Sequence, residues 1–374
     1  MLLSAALIAQ NEADHLDACL TSLHGLVDEV VVVDTGSTDR TVAVARQHGA
    51  VVGHVPWRGD FSAPRNRGLD LATGDWILHV DADERVGGDF EAARAAVDAA
   101  STTVAFRTRL VPRVGWTPYR ECRLWRNRAD IRFVGHIDES VLPAIMAVAE
   151  SDDLTVDPFD HITIRRSGGE GDRADARTRD EPLLVAELAR RPERASVYDH
   201  LARVYEAAGD GERAVATWKR GIAVARDRGQ NHPDDRLLYV DLVQHLLAIG
   251  VVDDELDLLV REARDVFERT PTLELAAARV AFATGWPRDA LEPLEWLVGL
   301  DDDSIIATGA SYDERVFGEW SWSLIGLCRF ALGDDAAAAV AFRHAEEVAP
   351  GDPSHRVRRR LAEARAETTG APSP

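Results

Sequence analysis

Short apolar runs alternate with helix-like patterns in residues 1–85. The apolar runs predict strands over 4–9, 29–33, 51–55 and 76–80. Apolar side chains at helical spacing predict a helix over 13–26, and a second helix is predicted over 38–48. This βαβαβ order is typical of a mostly parallel sheet between helices, in which ligands bind beyond the carboxyl ends of the strands.

Residues 101–165 differ in character from the first 85. Short β-like stretches over 104–110, 122–126 and 161–165 lie among arginines and loops. From 168 to 180 the composition turns to Gly, Asp and Arg, which predicts an exposed linker.

The remainder of the chain is rich in alanine and repeats itself. One set of positions recurs at the same offsets in a second copy: Leu201, Ala202, Tyr205, Gly209, Ala214 and Trp218 correspond to Ile325, Gly326, Arg329, Gly333, Ala338 and Phe342. Gly285, Ala290 and Leu294 form a weaker copy, and 242–267 supplies a further helix pair. The offsets resemble those of the tetratricopeptide repeat (TPR), so we expect a solenoid of helical hairpins. A polar closing helix is predicted over 354–367.

Composition and net charge argue against several classes of function. The 374 residues carry a formal net charge of −21, which argues against binding to nucleic acid or an anionic membrane. Three scattered cysteines are too few for a disulfide framework or a zinc site, so a reducing cytoplasm is expected. No run reaches the roughly 18 apolar residues of a membrane span. The apolar start, residues 1–9, has no basic residue, which favours a buried strand over a signal peptide.

Two carboxylates follow the fourth predicted strand, in the segment Asp81-Ala82-Asp83. Side chains two positions apart at a strand end point to the same side, where they can hold Mg²⁺ or Mn²⁺. The alternative is an acidic loop that caps the next helix.

A second candidate follows the second strand. Asp34 precedes a turn at Gly36 and could accept hydrogen bonds from a nucleobase or ribose. Thr38 and Asp39 are better explained as helix N-caps. The first strand has no G-x-G-x-x-G after it, which disfavours a dinucleotide-binding Rossmann domain. Arg65 is either a surface arginine or a cation that offsets the charge of a metal-bound pyrophosphate.

In this order, the motifs resemble those of family 2 glycosyltransferases with a GT-A fold followed by tetratricopeptide repeats. The resemblance rests on residues 9–12, 33–41, 57–66, 81–84, 123–127, 135–139 and His161. It implies a nucleotide-diphosphate sugar donor, usually UDP-linked, and a divalent metal, Mn²⁺ or Mg²⁺. Some repeat-bearing members glycosylate peptides.

The resemblance also implies roles for individual residues. The donor-binding candidates are Ala9, Gln10, Asn11, Glu12, Asp34, Gly36, Arg65, Asp81 and Ala82. Asp81 and Asp83 would hold the metal, and His161 could complete its ligand set, since imidazole binds Mn²⁺ well. An ordinary histidine at a strand edge is the alternative for His161.

The expected base motif is altered. The family has Ile-His-Glu where this chain has Ile137, Asp138 and Glu139, and a histidine stands at position 136. Glu139 is the first candidate for the general base and Asp138 the second.

The predicted layout is a GT-A domain over 1–167, a linker and connecting helix over 168–194, TPR-like repeats over 195–367 and a disordered tail over 368–374. The predicted function is metal-dependent, inverting sugar transfer to an acceptor, for which a peptide or protein is one candidate. A homodimer through the repeats is one candidate assembly. The main alternative is a TPR interaction scaffold with a catalytically silent GT-A domain. A nucleotidyltransferase ranks last because the chain has no glycine- and lysine-rich phosphate loop.

Overall fold

A computed structural model describes residues 1–167, 171–229 and 232–370. The chain divides into two compact units. The first, called the α/β unit, comprises Met1–Ala189 and Gly309–Ser311, and the second, called the helical unit, comprises Arg190–Thr308 and Tyr312–Pro374.

The described part of the α/β unit contains eight strands in one sheet, in the order β3-β2-β1-β4-β7-β6-β8-β5. The strands are β1 (Leu3–Ala9), β2 (Glu29–Asp34), β3 (Val51–His54), β4 (Trp76–His79), β5 (Glu84–Gly88), β6 (Thr103–Val111), β7 (Tyr119–Arg126) and β8 (Thr155–Arg166). The helices are α1 (Ala13–Ser22), α2 (Thr41–Gln47), α3 (Ser62–Leu71), α4 (Phe90–Ala99), α5 (Leu142–Asp152) and α6 (Gly171–Arg190).

The first four strands pair in parallel, as the sequence predicts for residues 1–85. Val31 and Val33 pack into the apolar layer on one face of the sheet, and Val32 packs into the layer on the other. A strand covered on both faces needs apolar side chains at consecutive positions, which explains the β-branched run. The parallel pairing brings the carboxyl ends of β1, β2 and β4 to one edge of the sheet.

The second half of the sheet is mixed. β7 pairs antiparallel with β4 and β6, β8 pairs parallel with β6, and β5 pairs antiparallel with β8. The β5–β8 register places Glu84 opposite Arg166. The last strand therefore ends beside the loop that follows β4.

The described part of the expected linker over 168–180 is helical, since α6 begins at Gly171. Leu184 and Glu187 of this helix are fully buried. An apolar face in the second half of the helix explains why it packs despite the polar composition before it. Residues 168–170 lie outside the described ranges.

The helical unit consists of helical hairpins, as the repeat pattern predicts. Its α-helices are α7 (Ala195–Ala207), α8 (Gly211–Arg228), α9 (Arg236–Ala248), α10 (Asp254–Val266), α11 (Pro271–Ala283), α12 (Leu291–Val298), α13 (Asp302–Ala307), α14 (Glu319–Ala331), α15 (Asp335–Val348) and α16 (Pro353–Gly370). At Gly326 an added Cβ would lie 2.5 Å from the Phe342 ring, so the absence of a side chain there lets α14 and α15 pack closely.

The domain boundaries at 167, 194 and 367 stay predictions, and 371–374 of the predicted tail lie outside the described residues. Among the described helices, none combines the length and the apolar content that a membrane crossing requires. All three cysteines are buried and unpaired.

Candidate active site

The loops after β1 and β2 are joined by hydrogen bonds at the edge where both strands end. Asn11 adopts a left-handed backbone conformation, with φ 56°, and its Oδ1 accepts a 2.8 Å bond from Thr38 N. Asn11 N in turn donates to Ser37 Oγ over 3.0 Å. Glu12 N donates to Thr41 Oγ1 over 2.8 Å. The two loops predicted to bind the nucleotide are therefore held together by these hydrogen bonds.

Asp34 organises the turn after β2. Its side chain is almost completely buried and accepts bonds from Gly36 N at 3.2 Å and Ser37 N at 3.1 Å. Burial alone raises the pKa of Asp34, but the hydrogen bonds from Ser37 and Gly36 outweigh it and hold the pKa below its usual value. Asp34 is thus a carboxylate at the sheet edge, although part of its bonding capacity is used within its own loop.

The expectation that Thr38 and Asp39 act as N-caps needs correction. Helix α2 begins at Thr41 after Arg40, so Thr38 lies outside the helix and donates instead to Asn11. Asp39 accepts from Thr41 N at 2.9 Å and from Ala13 N at 3.1 Å, so it ties the two loops together.

Arg65 on α3 connects two of the predicted functional carboxylates. Its Nε donates to Glu139 Oε1 over 2.6 Å, and both terminal nitrogens lie 3.2 Å from Asp81 Oδ1. Asn66, the next residue, accepts from Phe133 N at 2.8 Å and donates to Phe133 O at 2.9 Å. That pair of bonds anchors α3 to the segment that leads to Glu139.

Arg166 at the end of β8 bridges Asp81 and Asp83. Its Nη2 lies 3.1 Å from Asp81 Oδ2, and its Nε lies 3.1 Å from Asp83 Oδ2. Ser167 N and Oγ both donate to the Asp83 carbonyl, at 2.9 and 2.7 Å, which holds the end of β8 against this loop. The two aspartates therefore share one guanidinium group.

A buried layer lies beneath these groups. Arg123 on β7 contacts Glu84 at 3.3 Å and approaches Asp81 to 3.9 Å. His79 lies between Arg65 and Arg123. Burial and the two neighbouring arginines keep the pKa of His79 well below its usual value, so this imidazole is neutral.

These positive charges also act on Asp81. Burial raises the pKa of Asp81, but Arg65, Arg123 and Arg166 lower it much further, to far below its usual value. Asp81 is therefore ionised throughout the physiological pH range.

The structure does not bring His161 to the aspartates. His161 is exposed and lies five positions before Arg166 on β8, where its carbonyl accepts from Asp89 N. Five residues of a strand span about 17 Å. The structure therefore does not place His161 beside Asp81 and Asp83, where the β5–β8 register brings Arg166 instead.

Of the two base candidates, Glu139 lies within the charged cluster, with 11% of its side chain exposed. Asp138 is exposed and has a left-handed backbone, with φ 55°. His136, the histidine that precedes them, lies 3.5 Å from Glu187 on α6 and 3.8 Å from Asp60. The altered motif thus directs its histidine towards α6.

Four residues of this cluster had no role predicted from the sequence: His79, Glu84, Arg123 and Arg166. Arg166 ends the last apolar strand, directly after another arginine and before a glycine-rich segment. The available signal in the sequence was a basic residue at the end of a strand. Such a residue does not reveal which carboxylate it pairs with.

The residues present do not fit a divalent cation. Both oxygens of Asp81 already contact guanidinium groups, and Arg166 occupies the position between Asp81 and Asp83. Hard divalent cations take several oxygen ligands, which these paired carboxylates do not offer. Among the described residues, the group of acidic and histidine side chains close enough to share an ion is Glu319, Asp352 and His355, in the helical unit.

A sheet of this order, with charged loops at the ends of β1, β2 and β4 and helical hairpins later in the chain, defines a GT-A-type domain followed by TPR-like repeats. Residues 4–149 match the model of Glycosyl transferase family 2. The N-terminal part of the chain is therefore similar to family 2 glycosyltransferases.

Two relatives are similar to parts of this chain. A TPR repeat-containing protein of Synechococcus elongatus is 34% identical over 260 residues, which cover 68% of this chain and 63% of that protein. An uncharacterized glycosyltransferase of Rickettsia felis is 42% identical over 89 residues, which cover 24% of this chain and 31% of that protein. The chain thus spans less than two thirds of either relative.

Among solved structures, one similar chain is glucosyl-3-phosphoglycerate synthase from Mycobacterium tuberculosis in complex with Mn²⁺, UDP and glucosyl-3-phosphoglycerate. It is 17% identical, with a TM-score of 0.37, and the match covers 50% of this chain and 79% of that chain.

Proposed function

We propose that this protein is an inverting glycosyltransferase that moves a sugar from a nucleotide-diphosphate donor, a UDP-sugar, to an acceptor. One observation carries the proposal: Arg65 is held between Glu139 and Asp81 at the edge where β1, β2 and β4 end, within the family 2 domain. In this proposal Arg65 is the cation that binds the diphosphate, and Glu139 beside it is the carboxylate that acts as a base.

The donor's nucleoside binds, in this proposal, to the joined loops after β1 and β2. Ala9, Gln10, Asn11 and Glu12 supply one side, and Asp34 with Gly36 supplies the other. Asp81 and Ala82 border the sugar-diphosphate, and Arg65 donates hydrogen bonds to its phosphate oxygens. Backbone amides and a carboxylate at strand ends are the groups that recognise ribose and base edges in open α/β sheets.

The transfer is a single displacement. Glu139, or Asp138 as the second candidate, removes the proton from the acceptor nucleophile as that nucleophile attacks the anomeric carbon. The bond between the sugar and the diphosphate breaks at the same time, and the nearby arginine stabilises the charge on the departing nucleoside diphosphate. Attack from the face opposite the leaving group inverts the anomeric centre.

The expected metal, Mn²⁺ or Mg²⁺, has no step in this mechanism, because Arg166 occupies the position between Asp81 and Asp83. For the acceptor we propose a peptide or protein, which stacked helical hairpins are suited to bind, and a homodimer through the repeats is proposed on the same ground. A reducing, cytoplasmic location is supported by the three buried, unpaired cysteines.

Calorimetric titration with UDP, followed by hydrolysis assays on a panel of UDP- and GDP-sugars, tests the proposal. Arg65→Ala should abolish measurable UDP binding. Arg67→Ala is the matched control because Arg67 is an exposed arginine on the same helix. If the wild-type protein binds no nucleotide and hydrolyses no donor, the scaffold alternative with a silent domain is correct.

A further inference from the structure

We propose, on the basis of the proposed function, that Arg166 takes the place of a divalent cation in donor binding, so that the donor diphosphate binds to guanidinium groups and needs no metal. The side chain of Arg166 lies between the carboxylates of Asp81 and Asp83. The family resemblance gave Arg166 no role in binding.

The geometry of Arg166 is that of a bridging cation. One guanidinium group contacts a carboxylate oxygen of Asp81 and one of Asp83, each at 3.1 Å. A metal ion bound by the same two carboxylates would have to occupy the same space. The guanidinium group and a divalent ion are both positively charged, and at close range in a partly buried site they would repel each other strongly. Arg166 and a divalent ion therefore exclude each other.

Arg166 is also placed to reach a ligand. Its side chain is 48% exposed, and within the described residues only its Nε and Nη2 are engaged by the aspartates. A guanidinium group has five N–H donors in a planar fork that suits phosphate oxygens. The remaining donors of Nη1 can therefore bind a phosphate while the contacts with the aspartates persist.

Two further arginines complete the positive charge. Arg65 lies 3.2 Å and Arg123 3.9 Å from Asp81, so three guanidinium groups surround this one carboxylate. Of these three, Arg166 is the most exposed, at 48% against 12% for Arg65 and 8% for Arg123, so a diphosphate that approaches Asp81 meets Arg166 first. This arrangement supplies the charge stabilisation that a metal ion would otherwise provide.

The neighbouring residue supplies a matched control. Arg165 and Arg166 are consecutive on β8, so their side chains point to opposite faces of the sheet. Arg165 is exposed, like Arg166, and carries the same charge. Removing Arg165 therefore changes the net charge equally without touching the aspartates.

The experiment is calorimetric titration of the full chain with UDP in EDTA and again in Mn²⁺. The wild-type protein should bind UDP in EDTA with an affinity that Mn²⁺ does not improve. Arg166→Ala should weaken binding in EDTA by about 10- to 100-fold, as expected for the loss of charge-assisted hydrogen bonds. Arg165→Ala should bind as the wild type does, and circular dichroism should confirm that each variant is folded.

A second variant tests the exchange of cation directly. Arg166→His places an imidazole beside Asp81 and Asp83, and carboxylate with imidazole is a ligand set that Mn²⁺ accepts. UDP binding by this variant should become stronger when Mn²⁺ is added.

The two proposals fail in different ways. Wild-type binding of UDP that occurs only with Mn²⁺, or Arg166→Ala binding as tightly as the wild type in EDTA, would overturn the role of Arg166 and leave the glycosyltransferase proposal intact. Absence of nucleotide binding in both buffers would overturn the proposed function itself.

Discussion

Arg65 Nε donates a 2.6 Å hydrogen bond to Glu139 Oε1, although the two residues are 74 positions apart in the chain. The group that we expect to bind the leaving diphosphate is therefore bonded directly to the group that we expect to activate the acceptor. Both side chains are about one-tenth exposed, so the contact lies in a partly dehydrated environment where its charges interact strongly.

Glu139→Gln should lower kcat for sugar transfer by about 10²- to 10⁴-fold, the usual contribution of a general base. Glutamine keeps an oxygen that accepts from Arg65 Nε, so UDP affinity should change little. Transfer kinetics and UDP calorimetry on the same preparation separate the two effects.

Asp138→Asn is the comparison that decides between the two base candidates. If Asp138→Asn loses the activity and Glu139→Gln retains it, the exposed residue with the left-handed backbone is the base and our assignment is reversed.

Asn66→Asp should slow transfer by about 10- to 100-fold, because small displacements of a catalytic group have effects of this size. Aspartate cannot donate to the Phe133 carbonyl, so one of the two bonds that anchor the segment before Glu139 is lost. UDP binding should be preserved, as measured by calorimetry. Arg67→Ala, on the exposed surface of the same helix, should leave transfer unchanged. Equal rates for wild type and Asn66→Asp would contradict the proposed anchoring role.

Gly326→Ala should destabilise the helical unit by about 1–3 kcal/mol, the usual cost of overpacking. The added methyl group would lie 2.5 Å from the Phe342 ring. Helices α14 and α15 cannot move apart to relieve this clash without breaking other contacts. Gly351→Ala is the control, because nothing lies within 4 Å of the added atom. Urea unfolding measures both, and Phe342→Leu combined with Gly326→Ala should recover part of the loss.

Asp199 should make the stability of the helical unit depend on pH. Burial, and then the nearby carboxylate of Asp241, raise the pKa of Asp199 to about 7. In the unfolded chain this pKa is about 3.9, so between these values the folded state holds a proton that the unfolded state has lost. The stabilisation is complete below pH of about 4 and is lost as the pH rises through 7.

Urea unfolding at pH 5 and pH 8 checks this expectation. The free energy of unfolding should be lower at pH 8 by about 3 kcal/mol, because about two pH units separate pH 5 from the folded-state pKa of about 7, at 1.4 kcal/mol per unit. Asp199→Asn should flatten the profile while its Oδ1 still accepts from Trp218 Nε1, a bond of 3.0 Å in the wild type. A wild-type profile that does not fall towards pH 8 would show that Asp199 is ionised in the folded state.

Local patterns were sufficient for most of the architecture. The apolar run through Val31–Val33 predicts a strand covered on both faces, and the spacing of Gly326 and Phe342 predicts a close helical pair. These predictions succeed because hydrophobic periodicity and steric fit act within an element or between neighbours in sequence. The polar motifs that follow the first, second and fourth strands predicted which edge of the sheet carries the charged residues.

Local patterns could not predict contacts between segments that lie far apart in the chain. Both His161 and Arg166 lie on β8. Which of them is the neighbour of Asp83 therefore depends on the register of β5 against β8. A change of register moves every side chain of that strand along its partner, so composition and spacing cannot identify which side chain reaches the aspartates. The pairing of Arg166 with Asp81 and Asp83 arises from backbone hydrogen bonds between strands far apart in the chain, and that pairing turns an expected metal site into an arginine site.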